Sequence, residues 1–483
     1  MYVKKVRGKV MRKKLFIGGE WIEATNIQDL YSPYDGEKIA EIPFATIQEV
    51  DSAISAAEKT KKLMKKMPAH ERADILDNVS RLIGENREEC ARLIATEAAK
   101  PIQTARGEVA RTIMTYKLAS EEARRLPNEM VNMDAAPGGE NRTAYVLREP
   151  SGIVAAITPF NFPMNLVAHK LGPAIASGNP VVLKPASQTP LSAYYIADLF
   201  DKAGLPKGAL NVVTGAGSVV GERLVTDDRV SVITFTGSPE VGKDIRNKAG
   251  LKKVTLELGS NSAVIIDKDV HIDEMVDRLI QGAFTYQGQV CISVQRIYVH
   301  DSKKRELVKK MKEKVDQLIL GDPMDDATDV SALIAPKERD RLLSWIEEAV
   351  TKGAKIVTGG ELKGPMITPT ILENVDSTMK VSCEEVFGPV VTVSTFSDWS
   401  DAIDRVNDSD YGLQAGVYTE KLSHAFTASE DLEVGGVMIN DIPTFRVDHM
   451  PYGGLKNSGT GREGIKYAIE EMTERKLVSF KLS

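Results

Sequence analysis

Two residues of this 483-residue chain could make and break bonds with an electrophilic carbon. Cys291 stands in Gly288-Gln289-Val290-Cys291-Ile292-Ser293, after a glycine-containing turn that ends a helical run. Carbonyl attack needs the thiolate, and a cysteine of ordinary pKa, about 8.5, is only a few per cent ionised at neutral pH. The surroundings would have to activate it; a cysteine taken alone is otherwise a small core side chain. Glu257 ends an apolar strand in Thr255-Leu256-Glu257-Leu258-Gly259-Ser260. Strand ends in open α/β sheets form ligand crevices, and a carboxyl desolvated there has the raised pKa of a general base. The alternative is a paired surface glutamate. Cys90, in a charged helix, and Cys383, beside Glu384-Glu385, read as structural or incidental.

Glycines suggest where a cofactor would sit. Phe235-Thr236-Gly237-Ser238-Pro239-Glu240-Val241-Gly242 follows a strand and opens a helix, so Gly237 lets backbone approach a pyrophosphate at the helix start. The spacing is GxxxxG rather than the usual GxGxxG, and unaided it reads equally as a tight turn. Thr214-Gly215-Ala216-Gly217 is a weaker companion.

The elements that must position these residues follow from hydrophobic periodicity. Gly18-Gly19 marks a hairpin, and from Thr46 to Pro127 apolar residues recur at helical steps, as in Ala73, Leu76, Val79, Leu82 and Ile83. From Ser151, strands at 153–158, 181–184, 210–214 and 230–235 alternate with amphipathic helices, predicting βαβ units and a mostly parallel sheet. A second alternating region, 259–450, has strands at 263–266, 296–300, 355–358, 390–395, 415–418 and 436–439. The stretch Met133 to Gly139, followed by alternating Thr143 to Leu147, predicts a protruding hairpin. Residues Arg475 to Leu482 alternate too, and would pair with that hairpin in the same or another subunit.

Composition excludes several classes. Lys and Arg number 62 against 68 Asp and Glu, a net charge of −6, which offers no global field for nucleic acid. Three cysteines without a CxxC pair build neither a disulfide framework nor a cysteine-rich zinc site, so free thiols and a cytoplasmic location are expected. No apolar run reaches the roughly 20 residues that span a bilayer, so no membrane partner is expected. The first 14 residues, with Lys4, Lys5, Arg7, Lys9, Arg12, Lys13 and Lys14, predict a solvated basic tail.

Seven motifs, in order, resemble the NAD(P)-dependent aldehyde dehydrogenases over nearly the whole chain: Thr158-Pro159-Phe160-Asn161-Phe162-Pro163, Lys184-Pro185-Ala186-Ser187, Phe235-Thr236-Gly237-Ser238, Glu257-Leu258-Gly259, Gly288-Gln289-Val290-Cys291, Glu384-Glu385-Val386-Phe387-Gly388-Pro389 and Pro451-Tyr452-Gly453-Gly454. The resemblance implies an α/β fold with a modified Rossmann cofactor domain (residues 1–132 and 151–258), an α/β catalytic domain (259–450) and a β-hairpin oligomerisation arm (133–150 and 470–483). It also implies a homodimer or homotetramer.

By the same resemblance Cys291 is the nucleophile, and the oxyanion of the resulting thiohemiacetal is held by the Asn161 amide and the Cys291 backbone N–H. Glu257 then activates the water that hydrolyses the thioester. The implied cofactor contacts are Thr158, Pro159, Phe160, Lys184, Ser187, Gly217, Phe235, Thr236, Gly237, Ser238, Glu257, Leu258 and Gly259, with Glu385 and Phe387 on the nicotinamide ribose and ring. Many NAD-preferring members carry a glutamate where Ser187 stands. A small hydroxyl leaves room for a 2′-phosphate beside Lys184, so NADP is the expected cofactor with NAD also usable, unless other contacts decide.

For the substrate, Val290, Ile292, Phe162, Phe445 and Tyr452 suggest an apolar tunnel around a small aldehyde, with Arg111 and Arg446 as anchors for an anionic tail. Arg446 reads equally as a solvated surface residue. The subgroup resembled is that of lactaldehyde, non-phosphorylating glyceraldehyde-3-phosphate and phosphonoacetaldehyde dehydrogenases. The glyceraldehyde-3-phosphate enzymes carry arginine where Val290 stands, which weighs against a phosphorylated triose. The run 184–190 also resembles NADP-using succinate-semialdehyde dehydrogenases. Two rivals remain. A cysteine hydrolase or esterase would need an imidazole near Cys291, with His169 and His449 nearest the motifs. A catalytically silent NADP-binding protein would keep the fold without the reaction.

Overall fold

The computed structural model describes residues 11–482. Its first sheet has eight strands in the order Gly459–Thr460, Lys253–Glu257, Val230–Thr236, Ile153–Ile157, Val181–Lys184, Leu210–Val212, Leu15–Ile17 and Glu20–Ile22. The five strands from Lys253–Glu257 to Leu210–Val212 are parallel, and antiparallel strands close both edges. The chain enters at Ile153–Ile157, moves outward on one side, then returns to Val230–Thr236 on the other. Parallel strands end at one edge of the sheet, and this reversal splits the connections there into a crevice. Strands such as Ile153–Ile157 are buried on both faces, so their sequence is continuously apolar rather than alternating.

The second sheet runs Lys355–Thr358, Thr370–Glu373, Val390–Phe396, Arg296–His300, Ala263–Ile266, Gln414–Tyr418 and Gly436–Ile439. It is parallel except at its first pair. The predicted strands occur in both sheets with ends shifted by at most two residues. The helical stretch resolves into Ile47–Lys66, Ala69–Glu85, Arg87–Ala98 and Ile102–Ala123. Two helices matter for the site. Ile102–Ala123 packs on Asn165–Ala176, where a Cβ on Gly172 would stand 3.0 Å from Ala119 Cβ, so glycine sets how closely the two approach.

A third sheet joins Thr473–Lys481, Arg142–Pro150 and Glu129–Val131. The terminal strand pairs with the hairpin of its own chain, antiparallel from Thr473 opposite Pro150 to Lys481 opposite Arg142. The predicted basic tail needs correction. Residues 1–10 lie outside the described residues, but Met11–Arg12 pairs with Lys38–Phe44, and Arg12 and Lys14 form ion pairs with Glu23. Lys13 is buried, and desolvation lowers its pKa to about 8. The charges suggested solvent, but the strand alongside them decides the burial. Among the described residues no helix is long and apolar enough to cross a membrane.

Candidate active site

The loop after strand Ile153–Ile157 carries Thr158 to Pro163 into helix Asn165–Ala176. It is clamped from below by a lysine that nothing in the sequence singled out. Lys100, fully buried, donates to the Asn161 carbonyl at 2.7 Å and is paired with Glu108. The other Glu108 oxygen accepts from the Met164 and Asn165 N–H groups at 2.9 and 3.2 Å. The ammonium also sits 3.9 Å over the Phe162 ring and 4.4 Å over the Tyr286 ring. Burial lowers the Lys100 pKa against the pull of Glu108. The Asn161 amide donates to the Gln289 carbonyl at 3.1 Å, which ties it to the cysteine loop. An amide has two N–H bonds, so the second remains to serve a ligand.

The cysteine loop is strained where it turns. Tyr286, Gln287 and Gly288 have φ of 49°, 55° and 70°, three successive residues in the left-handed region. For the two that are not glycine this costs on the order of 1–3 kcal/mol each and persists only where neighbours over-determine it. They do. Tyr286 Oη donates to the Ala98 carbonyl at 3.0 Å, and Gln287 Nε2 donates to the Ala99 and Ala332 carbonyls at 3.0 and 2.8 Å. Gln289 Oε1 accepts from Ile334 N at 3.0 Å. The strain delivers Cys291 to the wall of a cavity, with Sγ 2.9 Å from Tyr452 Oη. Burial pushes the thiol up to about 11, against the hydrogen bond from Tyr452 and the charge of Arg446.

Glu257 is buried at the end of its strand, and neither carboxyl oxygen has a hydrogen-bond partner. Burial, then the nearby Glu463 charge, push its pKa well above the carboxylate range. A Cβ on Gly453 would stand 3.0 Å from Glu257 Oε1, so the glycine leaves the carboxyl room. Glu463 heads a buried charge network. It accepts from Lys170 Nζ at 3.2 Å and Arg446 Nη2 at 2.9 Å, and despite burial these cations hold it well below its usual pKa. His169 Nε2 donates to the Asp448 carboxylate at 2.8 Å, and Arg446 Nη2 lies 3.3 Å from the same nitrogen. Asp448 accepts from Arg111 Nη2 at 2.6 Å.

The alternative of Arg446 as a solvated surface residue is thereby overturned. Its side chain is 7% exposed, paired with Glu463 and laid 3.7 Å over the Tyr452 ring. Arg111 is 31% exposed and borders the cavity. That cavity has a volume of about 530 Å³ and brings Arg111, Phe162, Val290, Ile292, Phe445, Arg446 and Tyr452 together around Cys291. It also holds Arg278, paired with Asp441 and absent from the sequence reading. No histidine lines it, among the described residues. His169 Nε2 is committed to Asp448, its pKa lowered by burial, and His449 is exposed. The hydrolase reading therefore lacks its base.

On the opposite side, the carboxyl ends of the parallel strands gather the residues expected at a dinucleotide. Gly237 N donates to the Glu257 carbonyl at 3.0 Å, and a Cβ there would stand 3.1 Å from Phe235 Cε1. Ser238 caps helix Pro239–Lys248, accepting from Val241 N at 3.4 Å, and Gly242 lies against Leu258. The Glu385 carboxyl crosses Gly259, where a Cβ would stand 2.8 Å from its Cδ, and accepts from Ser260 N at 3.0 Å. Burial raises Glu385 to about 7. Phe387, at φ 47°, meets Phe160 edge-on with centroids 5.8 Å apart. Lys184 is buried, donates to the Pro185 carbonyl at 3.5 Å, and is lowered by desolvation to about 8. Ser187 donates to the Gly215 carbonyl at 3.3 Å, and Gly217 lies exposed at the start of a helical turn. A desolvated ammonium, a glycine turn opening helix Pro239–Lys248 and a carboxyl raised to about 7 fit a polyhydroxylated anion such as a nicotinamide dinucleotide.

The residues that sequence reasoning missed are Lys100, Glu108, Lys170, Asp448, Glu463 and Arg278. Lys170 left a signal, being a charge inside the apolar run Leu166 to Ala176, where it must find a buried partner.

Known proteins point the same way. A model of the aldehyde dehydrogenase family matches residues 21–478. A 3-sulfolactaldehyde dehydrogenase from Priestia aryabhattai is 48% identical over 474 residues, covering 98% of this chain and 99% of that protein. Among solved structures, a Physcomitrella patens aldehyde dehydrogenase in complex with the reaction product succinate superposes with a TM-score of 0.96 at 39% identity, covering 98% and 99% of the two chains. The NADP complex of the glyceraldehyde-3-phosphate dehydrogenase GapN from Methanocaldococcus jannaschii does so at 0.91 and 41%, covering 95% and 100%. A family model over nearly the whole chain and a relative at 48% identity show that this chain belongs to the aldehyde dehydrogenase family.

Proposed function

We propose that this aldehyde dehydrogenase oxidises a small aldehyde with an anionic or hydroxylated tail to its carboxylate, using NADP in preference to NAD. One observation carries the substrate reading: Arg111 borders the same cavity as the Cys291 thiol. The relative that acts on a sulfonated hydroxyaldehyde supports it. Ser187, a small side chain beside buried Lys184, supports NADP, as does the NADP complex of the structural neighbour.

NADP, when bound, supplies a hydride acceptor. The chain does the rest. Cys291 Sγ bonds to the carbonyl carbon, and the oxyanion takes the second Asn161 N–H, fixed beforehand by Lys100 and the Gln289 carbonyl, and the Cys291 backbone N–H. Loss of the hydride leaves a thioester. Glu257, as carboxylate, takes a proton from water as that water attacks the acyl carbon, and the thiolate leaves. Phe162, Val290 and Ile292 shield the reacting carbon, and Lys184, Glu385 and the glycine turns hold the dinucleotide.

The cofactor unit would comprise residues 1–132 and 151–258, the catalytic unit 259–450 and the arm 133–150 and 470–483. The strand Gly459–Thr460 returns to the first sheet, which supports counting 451–469 with the cofactor unit. Exposed Met130, Leu477 and Phe480 on the arm sheet support self-association into a homodimer or homotetramer. The free thiols remain the argument for a cytoplasmic setting.

The test is formation of reduced cofactor with NADP and NAD in parallel. The aldehydes are 3-sulfolactaldehyde, lactaldehyde, succinate semialdehyde, glyceraldehyde 3-phosphate, phosphonoacetaldehyde and an uncharged aliphatic aldehyde, with Cys291→Ala as control. The reading expects the highest kcat/KM for an anionic or hydroxylated aldehyde with NADP and no turnover in the control. A preference for the aliphatic aldehyde would refute the substrate class.

A further inference from the structure

The hydroxyl of Tyr452 faces the sulfur of Cys291. Tyr452 is 2% exposed, and its main chain exchanges two hydrogen bonds with Glu463, at 3.1 and 2.7 Å. Its ring is held under the Arg446 guanidinium, 3.7 Å from the centroid, and Arg446 is in turn fixed by Glu463. Ring and backbone are therefore locked, and Oη lies 2.9 Å from Sγ. Among the described residues no imidazole lines the cavity of the sulfur, so its activation must come from other groups.

We propose that Tyr452 is a catalytic residue whose hydroxyl donates a hydrogen bond to the Cys291 thiolate and stabilises the attacking form. This rests on the reading of Cys291 as nucleophile. With the thiol neutral, either group can donate. Once Sγ has lost its proton only the phenol can, and a hydrogen bond to a charged acceptor is about twice as strong as a neutral one. The gain belongs to the ionised state alone. The thiol proton leaves to solvent water, while Tyr452 keeps its own proton and no electrons are exchanged. Burial holds the phenol pKa well above 10, so the donor stays protonated across the working range. The other charges near the sulfur are Arg446, Glu257 and Glu385. A phenylalanine at this position would fill the same cavity wall and leave them all in place.

The experiment compares wild type with Tyr452→Phe by the rate of iodoacetamide labelling of the Cys291 peptide between pH 7 and 10, read by mass spectrometry. Loss of the hydrogen bond lowers the thiolate fraction about tenfold, while the more basic thiolate is intrinsically about threefold more nucleophilic. Labelling should therefore slow about threefold at every pH below the thiol pKa, with NADP affinity unchanged. Equal or faster labelling overturns the proposal. So does slowing accompanied by a matching loss of NADP binding, which marks a disturbed pocket rather than a lost donor. Cys291→Ala keeps the two readings apart. Turnover in that variant refutes the nucleophile itself, whereas an inactive Cys291→Ala with unaltered Tyr452→Phe labelling refutes only the role of the hydroxyl.

Discussion

Alanine at Gly288 should separate the nucleophile from the cofactor without touching either. Gly288 has a φ of 70°, and a Cβ there would stand 2.7 Å from the Gly388 carbonyl carbon and 3.1 Å from the Ala283 carbonyl oxygen. An L-residue in the left-handed region costs roughly 1–2 kcal/mol. Carbon atoms pack at about 3.5–4.0 Å, so the Cys291 turn and the Gly388 peptide must also part by about 1 Å. The Gly388 peptide directly follows Phe387 and lies three residues from Glu385, the pair proposed to hold the nicotinamide end. A misplacement of about 1 Å between reacting groups costs on the order of 100-fold in rate. We therefore expect Gly288→Ala to lower kcat about 100-fold, with aldehyde KM changed little and the Cys291 peptide still open to alkylation. The assay is steady-state kinetics beside Gly84→Ala, whose Cβ would meet only the tip of Ile113 at 4.0 Å and whose activity should match wild type. Activity of Gly288→Ala within threefold of wild type would refute the argument that this contact sets the distance.

Glu257→Gln should still release a first equivalent of reduced cofactor in rapid mixing and then stall at the thioester; full steady-state turnover would remove Glu257 from the mechanism. Because burial and Glu463 raise the Glu257 carboxyl pKa well above the usual range, its basic form grows as pH rises, so kcat should rise with pH. A flat profile in wild type would contradict this. Arg111→Ala should raise KM about tenfold or more for an anionic aldehyde and spare an uncharged analogue, and equal effects would sink the anchor. NADP affinity should fall as pH rises through about 8, where buried Lys184 loses its proton, and calorimetric titration of Lys184→Met should show weaker binding without that fall. If the proposed homo-oligomer forms through the arm sheet, aspartate at Leu477 and Phe480 together, both half-exposed apolar residues there, should lower the mass seen in light scattering; an unchanged mass would refute that interface.

Much of this protein was legible in the sequence because its strands are short, buried and apolar. Val181–Lys184, Ala263–Ile266 and Arg296–His300 fall where the apolar runs predicted them, and the alternation of strand and helix dictates parallel sheets. Cys291, Glu257 and Asn161 were legible as residue types in ordered motifs. Burial was not. Lys13 reads as tail and is buried, and Arg446 reads equally as surface and is covered by Tyr452 and Glu463. Which charges meet is a property of long-range contacts. Lys100 finds the Asn161 carbonyl across 61 positions, and Asp448 meets Arg111 across 337. Local sequence determines backbone propensity and hydrophobic period, hence the elements and the types of chemistry available. Only the tertiary structure desolvates Glu257 and Cys291, bends Tyr286 and Gln287 into the left-handed region and brings Tyr452 against the sulfur, because desolvation, strain and pairing depend on neighbours that the chain supplies from far away.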